Sequence, residues 1–403
     1  MSAPLIRRFI YPIFYIAHYL LSILVVYASW THLPHGSSGS WYLTYVAISI
    51  FGAAAVFAIC VIFYRNGACG DYWSKGAIVK RDDGSMRIDI YPGRPVMVLP
   101  GQYINLWCPS LNPWSWFQGS SFIVTSWSPE EQAILQLFAK CPNRSFGFTW
   151  LLLWRTLTNS RRNLTFISGP HGLSEPVSRY ETVLLVASDT GILPIKPYVE
   201  QLFYCVKKRT SKTRRLRLLW QVSGRHMGMS LLADMGAWVN RLFQDDIEDE
   251  THVCTSRNKG RLFMLTASVQ MLQITIFDPN NLCKMTPGQH GVRGQVSQSC
   301  ADLKSVLEDE VRDHKQRLAE DVKNERGEML LMGELSTLLL GTSLTTNSFC
   351  FQRAPRQCLS IYQALFEVAQ YCGIGISAVT ATTTMINADN SSLFSRIHLE
   401  SPQ

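Results

Sequence analysis

Two uncharged apolar stretches near the start, Phe9 to Trp30 and Trp41 to Tyr64, constrain this chain more than anything after them. They are 22 and 24 residues long. At a rise of about 1.5 Å per residue, a helix of either length crosses a hydrocarbon core of about 30 Å. A cleaved signal peptide fits the first stretch poorly, because its apolar run is too long and leads straight into a second. Arg7 and Arg8 precede the first span, and Arg65, Lys75, Lys80 and Arg81 follow the second. The linking stretch, Thr31 to Ser40, has no Lys or Arg. The positive-inside rule therefore predicts a helical hairpin with its loop outside and the large remainder of the chain in the cytoplasm. Charged residues make up only 17% of the 403, against roughly 25% in soluble domains, which agrees with a membrane portion. The net charge of +8 comes from dispersed cations, better suited to a cytoplasmic membrane face than to nucleic acid. The 11 cysteines form no CxxC pair and no zinc spacing. That pattern predicts a reducing compartment and buried thiols.

His18 and His32 stand out in and beside the first span. Fourteen residues is close to four helical turns, so both fall on nearly one face, about 21 Å apart along the axis. A histidine near mid-membrane is costly without a partner or a function. His18 meets that description, whereas His32, like His35, could sit at the interface. The second span contains no histidine.

A polar, glycine-containing junction at 65–76 leads into a region where strand patterns alternate with turns, as in a small antiparallel barrel. Within Leu99 to Trp127, Pro100-Gly101 is turn chemistry before the β-prone Tyr103, Ile104, Leu106 and Trp107. Phe122 to Thr125 is a second β-prone run, preceded by Ser120-Ser121. Hydroxyls beside an aromatic can hold the edge and face of a flavin, although an ordinary barrel strand reads the same way. Leu135 to Ala139 is a further strand. Lys140 and Arg144 then lead through Gly147, Phe148 and Thr149 into an apolar helical stretch. A helix start flanked by cations favours an anion, or is simply a capped surface turn.

From Glu181 the pattern becomes α/β. Thr182 to Ala187 is a continuous apolar run, expected of a strand buried on both faces. Ser188-Asp189-Thr190-Gly191 forms a turn, and Pro194 to Lys208 a helix. Strand, turn and helix in this order place a cofactor pyrophosphate at a helix N-terminus. An aspartate there brings negative charge toward the phosphates, and its side chain can occupy the helix cap itself. Leu216 to Val222 is the next parallel strand. Asp245 to Glu250 reads as an acidic loop, Phe263 to Phe277 has strand composition, and 301–324 reads as an exposed amphipathic helix.

These motifs resemble the ferric reductase and NADPH oxidase family, especially the fungal ferric reductases. There a PGQY strand precedes a His-Pro-Phe strand that ends in Thr-Ser-Trp. This chain keeps Pro100, Gly101, Gln102, Tyr103, Phe122, Thr125, Ser126 and Trp127, with Ser120-Ser121 in place of His-Pro. The resemblance implies FAD bound by Tyr103, Ser120, Ser121, Phe122, Thr125, Lys140, Arg144, Gly147 and Thr149. It implies NADPH bound by Ser188, Thr190, Gly191, Ile192, Pro194 and Thr380. FISGPHG, Phe166 to Gly172, is similar to the family's Gly-Pro-Tyr-Gly turn, with His171 for Tyr. Asp189 replaces a family glycine, and Thr380-Ala381 stand where a Cys-Gly turn would. His18 and His32 are placed like haem ligands. Haem b would need a partner helix absent from this chain, because the family core has about six spans and only the last two are present. The resemblance thus implies a chain incomplete at its N-terminus, a haem path that is lost, or a second chain or homo-oligomer that completes the haem site.

The architecture expected is a membrane α-helical hairpin, an antiparallel β-barrel of the FAD-binding, ferredoxin-reductase type, and an α/β nucleotide-binding domain. The boundaries are 1–64 for the spans, 65–76 for the junction, 77–175 for the barrel and 180–403 for the α/β domain with a divergent C-terminal half. The function implied is a ferric-chelate reductase, in the plasma membrane, passing electrons from NADPH through FAD toward a membrane acceptor, haem and then Fe3+. The alternatives are a haem-free membrane-anchored flavin diaphorase and a non-catalytic remnant of the family. A tag inserted between Pro34 and Gly39 should be reached by a probe outside intact vesicles, and one after Gln403 should not; both on one side would refute the hairpin.

Overall fold

The computed structural model describes residues 17–18, 20–28, 31, 38–67, 70, 72–81, 85–109, 120–140, 163–224, 227–256, 271–282, 294–320, 329–335 and 393–399. Helix α1, Ser38–Arg65, contains the second apolar stretch and extends beyond it at both ends. Its segment Tyr45–Arg65 is long and apolar enough to cross a membrane. The side chains described along it are largely exposed on the isolated chain, as a lipid-facing helix requires. Of the first stretch, the described residues from Ala17 to Ala28 are helical, and Ser22 Oγ donates to the His18 carbonyl at 2.7 Å. His32 lies outside the described residues.

The barrel follows directly. Strands β1 (Lys75–Lys80), β2 (Ser85–Tyr91), β3 (Tyr103–Trp107), β4 (Ser120–Ile123), β5 (Leu135–Lys140), β6 (Asn163–Leu164) and β7 (Phe166–His171) form two antiparallel sheets. Their orders are β5-β2-β1-β6 and β4-β3-β7. Bridges between Val124 and Leu137 and between Val96 and Gln132 join adjoining segments. Alternating residues fill the interior: Ile88, Ile90, Ile104, Leu135 and Leu137 are fully buried. Cys108, just beyond β3, is buried with them, and burial pushes its thiol up to about 12. Cys60 and Cys300 are exposed, so the expectation of buried thiols holds for only some of the described cysteines.

The α/β part contains β8 (Thr182–Ser188), α2 (Ile192–Lys207), β9 (Arg215–Gln221), α3 (Met229–Ser256), β10 (Leu272–Phe277), β11 (Gly294–Ser297), α4 (Leu303–Glu320), β12 (Met329–Leu335) and β13 (Leu393–Leu399). The sheet order is β11-β10-β9-β8-β12-β13, parallel except for the edge strand β13. Every residue of β8 is buried, as its continuous apolar run requires of a central strand. The chain leaves β8 toward β9 on one side and returns through β12 on the other. The gap between β8 and β12 is therefore the topological switch point, where ligands of such sheets bind. Helix α4 is fastened to the sheet by Glu310, whose buried carboxylate accepts from Arg215 at 3.1 Å and Arg217 at 2.6 Å.

One expectation fails outright. Asp245 to Glu250 belongs to α3 and is not a loop. No Gly or Pro interrupts the chain between Ala237 and Ser256, so the backbone continues the helix that Val239, Leu242 and Phe243 anchor in the core. The expected strand within Phe263 to Phe277 is realised as β10, and Thr380-Ala381 lie outside the described set.

Barrel and α/β sheet meet through α2. The turn at Pro100-Gly101 closes with Gln102 N–H donating to the Leu99 carbonyl at 3.2 Å, and Gly101 has φ +79°. A Cβ on Gly101 would lie 2.2 Å from the Tyr198 hydroxyl, so only glycine satisfies both the turn and the contact. Lys196 Nζ donates to the Thr125 carbonyl at 3.4 Å, Trp127 packs edge-on against Tyr204, and Arg81 pairs with Asp234 of α3. Gly101→Ala should lower stability by about 1–3 kcal/mol. Adding Tyr198→Phe should return part of that loss, because it removes the clash and leaves the backbone strain; urea unfolding of the single and double variants measures both.

Candidate functional site

Strand β3 alternates between the two sides of its sheet: Ile104 and Leu106 are buried, and Tyr103, Asn105 and Trp107 are partly exposed. Cross-strand register extends this outer face to both neighbours. Asn105 lies opposite Ser121 on β4 and Ser168 on β7, and Tyr103 lies opposite His171. Ser121 Oγ donates to Asn105 Oδ1 at 2.6 Å. Ser168 Oγ and His171 Nε2 are 2.9 Å apart, and the Tyr103 and His171 rings lie 5.5 Å apart. The result is a flat strip with two aromatic rings at one end and amide and hydroxyl groups beside them. Gly172, at φ +94°, lets the chain pass close over Tyr103, since a Cβ there would stand 3.4 Å from its ring. The donor set suits a planar heteroaromatic group with polar edges.

The expected flavin residues divide across the sheet. Tyr103 and Ser121 face outward on this strip. Phe122 is in the barrel core, and Ser120 pairs with inward-facing Leu106, so both share the opposite face. Thr125 is buried, with its Oγ1 donating to the Gln136 carbonyl at 3.0 Å and its own carbonyl receiving Lys196. Lys140 ends β5, and its side chain, with Arg144, Gly147 and Thr149, lies outside the described residues. Asn105 and Ser168 were absent from the sequence reading. The period-two alternation from Tyr103 pointed to Asn105, whereas Ser168 depended on the β3–β7 register. Lys196 sits at the barrel contact beside Glu200, 3.4 Å away. Burial raises the Glu200 carboxyl above its ordinary range, against the lowering effect of Lys196.

At the switch point the turn after β8 runs through Asp189 to Gly191 into α2. Ser188, Gly191, Ile192 and Pro194 are buried and Thr190 is partly exposed; Thr380 lies outside the described residues. No side chain caps the start of α2, which corrects the expectation that Asp189 could do so. The aspartate takes φ +43°, a left-handed conformation that glycine adopts freely and Asp or Asn tolerate. Its carboxylate turns to the end of β9, where Oδ1 accepts the Ser223 N–H at 2.7 Å and Oδ2 the Ser223 hydroxyl. Trp220 Nε1 donates to the Asp189 carbonyl at 3.1 Å. Asn280 then donates to the Ser223 carbonyl at 2.8 Å, so the C-terminal ends of β8, β9 and β10 are tied in series.

Asp189 is therefore a bracket across strand ends. Asp189→Asn, which keeps both the conformation and an acceptor, should be close to wild type in thermal stability. Asp189→Ala should lose about 2–4 kcal/mol through strain and the orphaned Ser223 donors, with Asp189→Gly between them. Equal melting of the three variants would refute the bracket.

No protein-family profile matches the chain. Among characterised proteins it is similar to ferric/cupric reductase transmembrane component 2 of Saccharomyces cerevisiae, 27% identical over 195 residues, 47% of this chain and 25% of that protein. Ferric reductase transmembrane component 3 of the same yeast is 27% identical over 194 residues, with the same shares. The matched stretch thus spans a quarter of those relatives' length. Among solved structures, a ferredoxin NADP+ reductase from Neisseria gonorrhoeae with bound FAD and NADP aligns with TM-score 0.38 and 13% identity, over 73% of this chain and 89% of that one. Phthalate dioxygenase reductase aligns with TM-score 0.35 and 13% identity, over 66% and 68%. Over about half of its length, the chain is similar to the yeast ferric reductase transmembrane components.

Proposed function

We propose that this chain is the flavin- and pyridine-nucleotide-binding part of a membrane-bound oxidoreductase. In this reading it passes electrons from NAD(P)H through FAD to an acceptor at the membrane, with a ferric or cupric chelate as final substrate. The observation that carries it is the position of the strip on β3, β4 and β7. One end, at Tyr103 and His171, is close to the Gly101 turn that touches α2. The other, at Trp107 and Phe166, reaches the end of α1, where Phe63 packs against Phe166 with ring centroids 5.9 Å apart. Four steps of about 3.3 Å along β3 separate the two ends, about 13 Å.

FAD would lie on the strip, held by Tyr103, Asn105, Ser121, Ser168 and His171, and by the anion-binding stretch proposed at Lys140 to Thr149. It supplies the conversion of a two-electron donor into one-electron steps. The chain's own part is to orient the ring edge with hydroxyl and amide groups and to bring the nucleotide crevice against it. The nucleotide would lie at the β8–α2 turn near Ser188, Thr190 and Gly191. In this reading the spans run to residue 64, the barrel from 77 to 175 and the nucleotide domain from 180. The soluble parts are cytoplasmic beneath the plasma membrane. Haem b would belong to the assembly only with a partner helix that supplies histidines to match His18 and His32.

The full chain, purified in detergent and loaded with FAD, should show a protein-bound flavin spectrum that NADPH bleaches in stopped flow, and no paired Soret and α bands. Asn105→Ala should weaken FAD retention about tenfold. Failure to bind FAD would favour the remnant reading. Bound flavin reduced quickly and passed only to soluble dyes would favour the diaphorase.

A further inference from the structure

The junction after α1 is built as a joint. Asn66 is fully buried and spends its whole amide on two partners. Its Nδ2 donates to the Ile62 carbonyl at 2.7 Å, in the last turn of α1, and to the Ile167 carbonyl on β7 at 2.8 Å. Ile167 N–H returns a bond to Asn66 Oδ1 at 2.8 Å. The side chain thus pairs with the open edge of β7 as a neighbouring strand would, while holding the helix end. Ser74 N–H donates to the Asn66 carbonyl at 3.0 Å, and Gly93 N–H to Ser74 Oγ at 2.8 Å. A Cβ on Gly67 would lie 2.1 Å from the Tyr72 carbonyl, and one on Gly93 2.6 Å from the Asn66 carbonyl, so the backbones are in direct contact.

Around this joint lies a ring of exposed aromatic and basic groups. Tyr64, Tyr72 and Trp73 are 56%, 73% and 42% exposed. Arg94 lies over the Tyr64 ring at 4.0 Å and donates from Nε to its carbonyl at 3.1 Å. Between Ile62 and Gly76 the cations Arg65 and Lys75 outnumber the single acid, Asp71. Tyrosine and tryptophan at the end of an apolar span, with cations just beyond, are what the interfacial layer of a bilayer selects.

We infer that the barrel face around Asn66 is a docking surface for anionic phospholipid headgroups, and that Asn66 fixes it there rigidly, so that the barrel rests on the cytoplasmic leaflet at one height and orientation. This inference rests on α1 spanning the membrane. Headgroup phosphates meet Arg65, Arg94 and Lys75, while Tyr64, Tyr72 and Trp73 occupy the glycerol level. Because Phe63 and Trp73 both pack on Phe166, and Phe166 lies opposite Trp107 at the end of β3, the same joint fixes the strip relative to the bilayer.

The test uses the full chain in vesicles that contain phospholipid spin-labelled high on the acyl chain, with either a phosphatidylserine or a phosphatidylcholine headgroup. The Trp73 signal is the difference in emission between wild type and Trp73→Phe. Both lipids should quench it, phosphatidylserine more strongly. Arg94→Ala should reduce that excess about fivefold. Asn66→Ala should abolish the quenching while the protein still floats with the vesicles, and Asn66→Asp, which keeps the acceptor for Ile167 N–H but loses both donated bonds, should act in the same direction. Unquenched Trp73 in vesicle-bound wild type, equal quenching by the two lipids, or unchanged quenching in both Asn66 variants would overturn the inference. Release by alkaline carbonate is read separately; it would overturn the spanning reading, and this one with it.

Discussion

The contact between the Gly101 turn and Tyr198 decides where the two folded halves meet. Helix α2 buries Ile195, Val199 and Leu202 in the α/β core, so its position is set by the sheet beneath it. Its remaining face must then accept the barrel, and a backbone turn without a side chain is what approaches a buried tyrosine closely enough. Lys196 and Tyr204, on the same helix, add a hydrogen bond and a ring contact to Thr125 and Trp127, just beyond β4. Three barrel residues, Gly101, Thr125 and Trp127, near the ends of two strands are thereby held against one helix. That is how the outer strip of the barrel comes to border the nucleotide crevice.

Most of the architecture was legible in the sequence because each element carried its own periodicity. The apolar run of β8, the alternation of β3 and the uncharged stretch inside α1 each leave few alternatives once burial must be satisfied. The acidic stretch in α3 was misread because charge was taken as a loop signal. Charge says only that a face is solvated, whereas Gly or Pro would be needed to stop a helix. The candidate site was less legible. Tyr103 and Ser121 followed from hydroxyls beside an aromatic and from the family resemblance, but the inward turn of Phe122 and Ser120 depends on which β3 residue each faces, and local sequence does not encode that pairing. Asn66 was hidden in a stretch read as a polar junction, because its burial is created by β7, 101 residues further along.

Asp189 shows how a departure from a family pattern can keep the geometry and alter the field. A glycine at this turn is required for its backbone conformation, and an aspartate can supply that same left-handed conformation at modest cost. The cost is offset because the carboxylate finds two donors on Ser223. Hydrogen bonding does not remove the charge, however; it fixes its direction. At an effective dielectric near 20, repulsion between unit charges is about 4 kcal/mol at 4 Å and about 2 kcal/mol at 8 Å. A carboxylate held toward β9, with no side chain capping α2, therefore burdens an anion at the α2 N-terminus less than one capping that helix would.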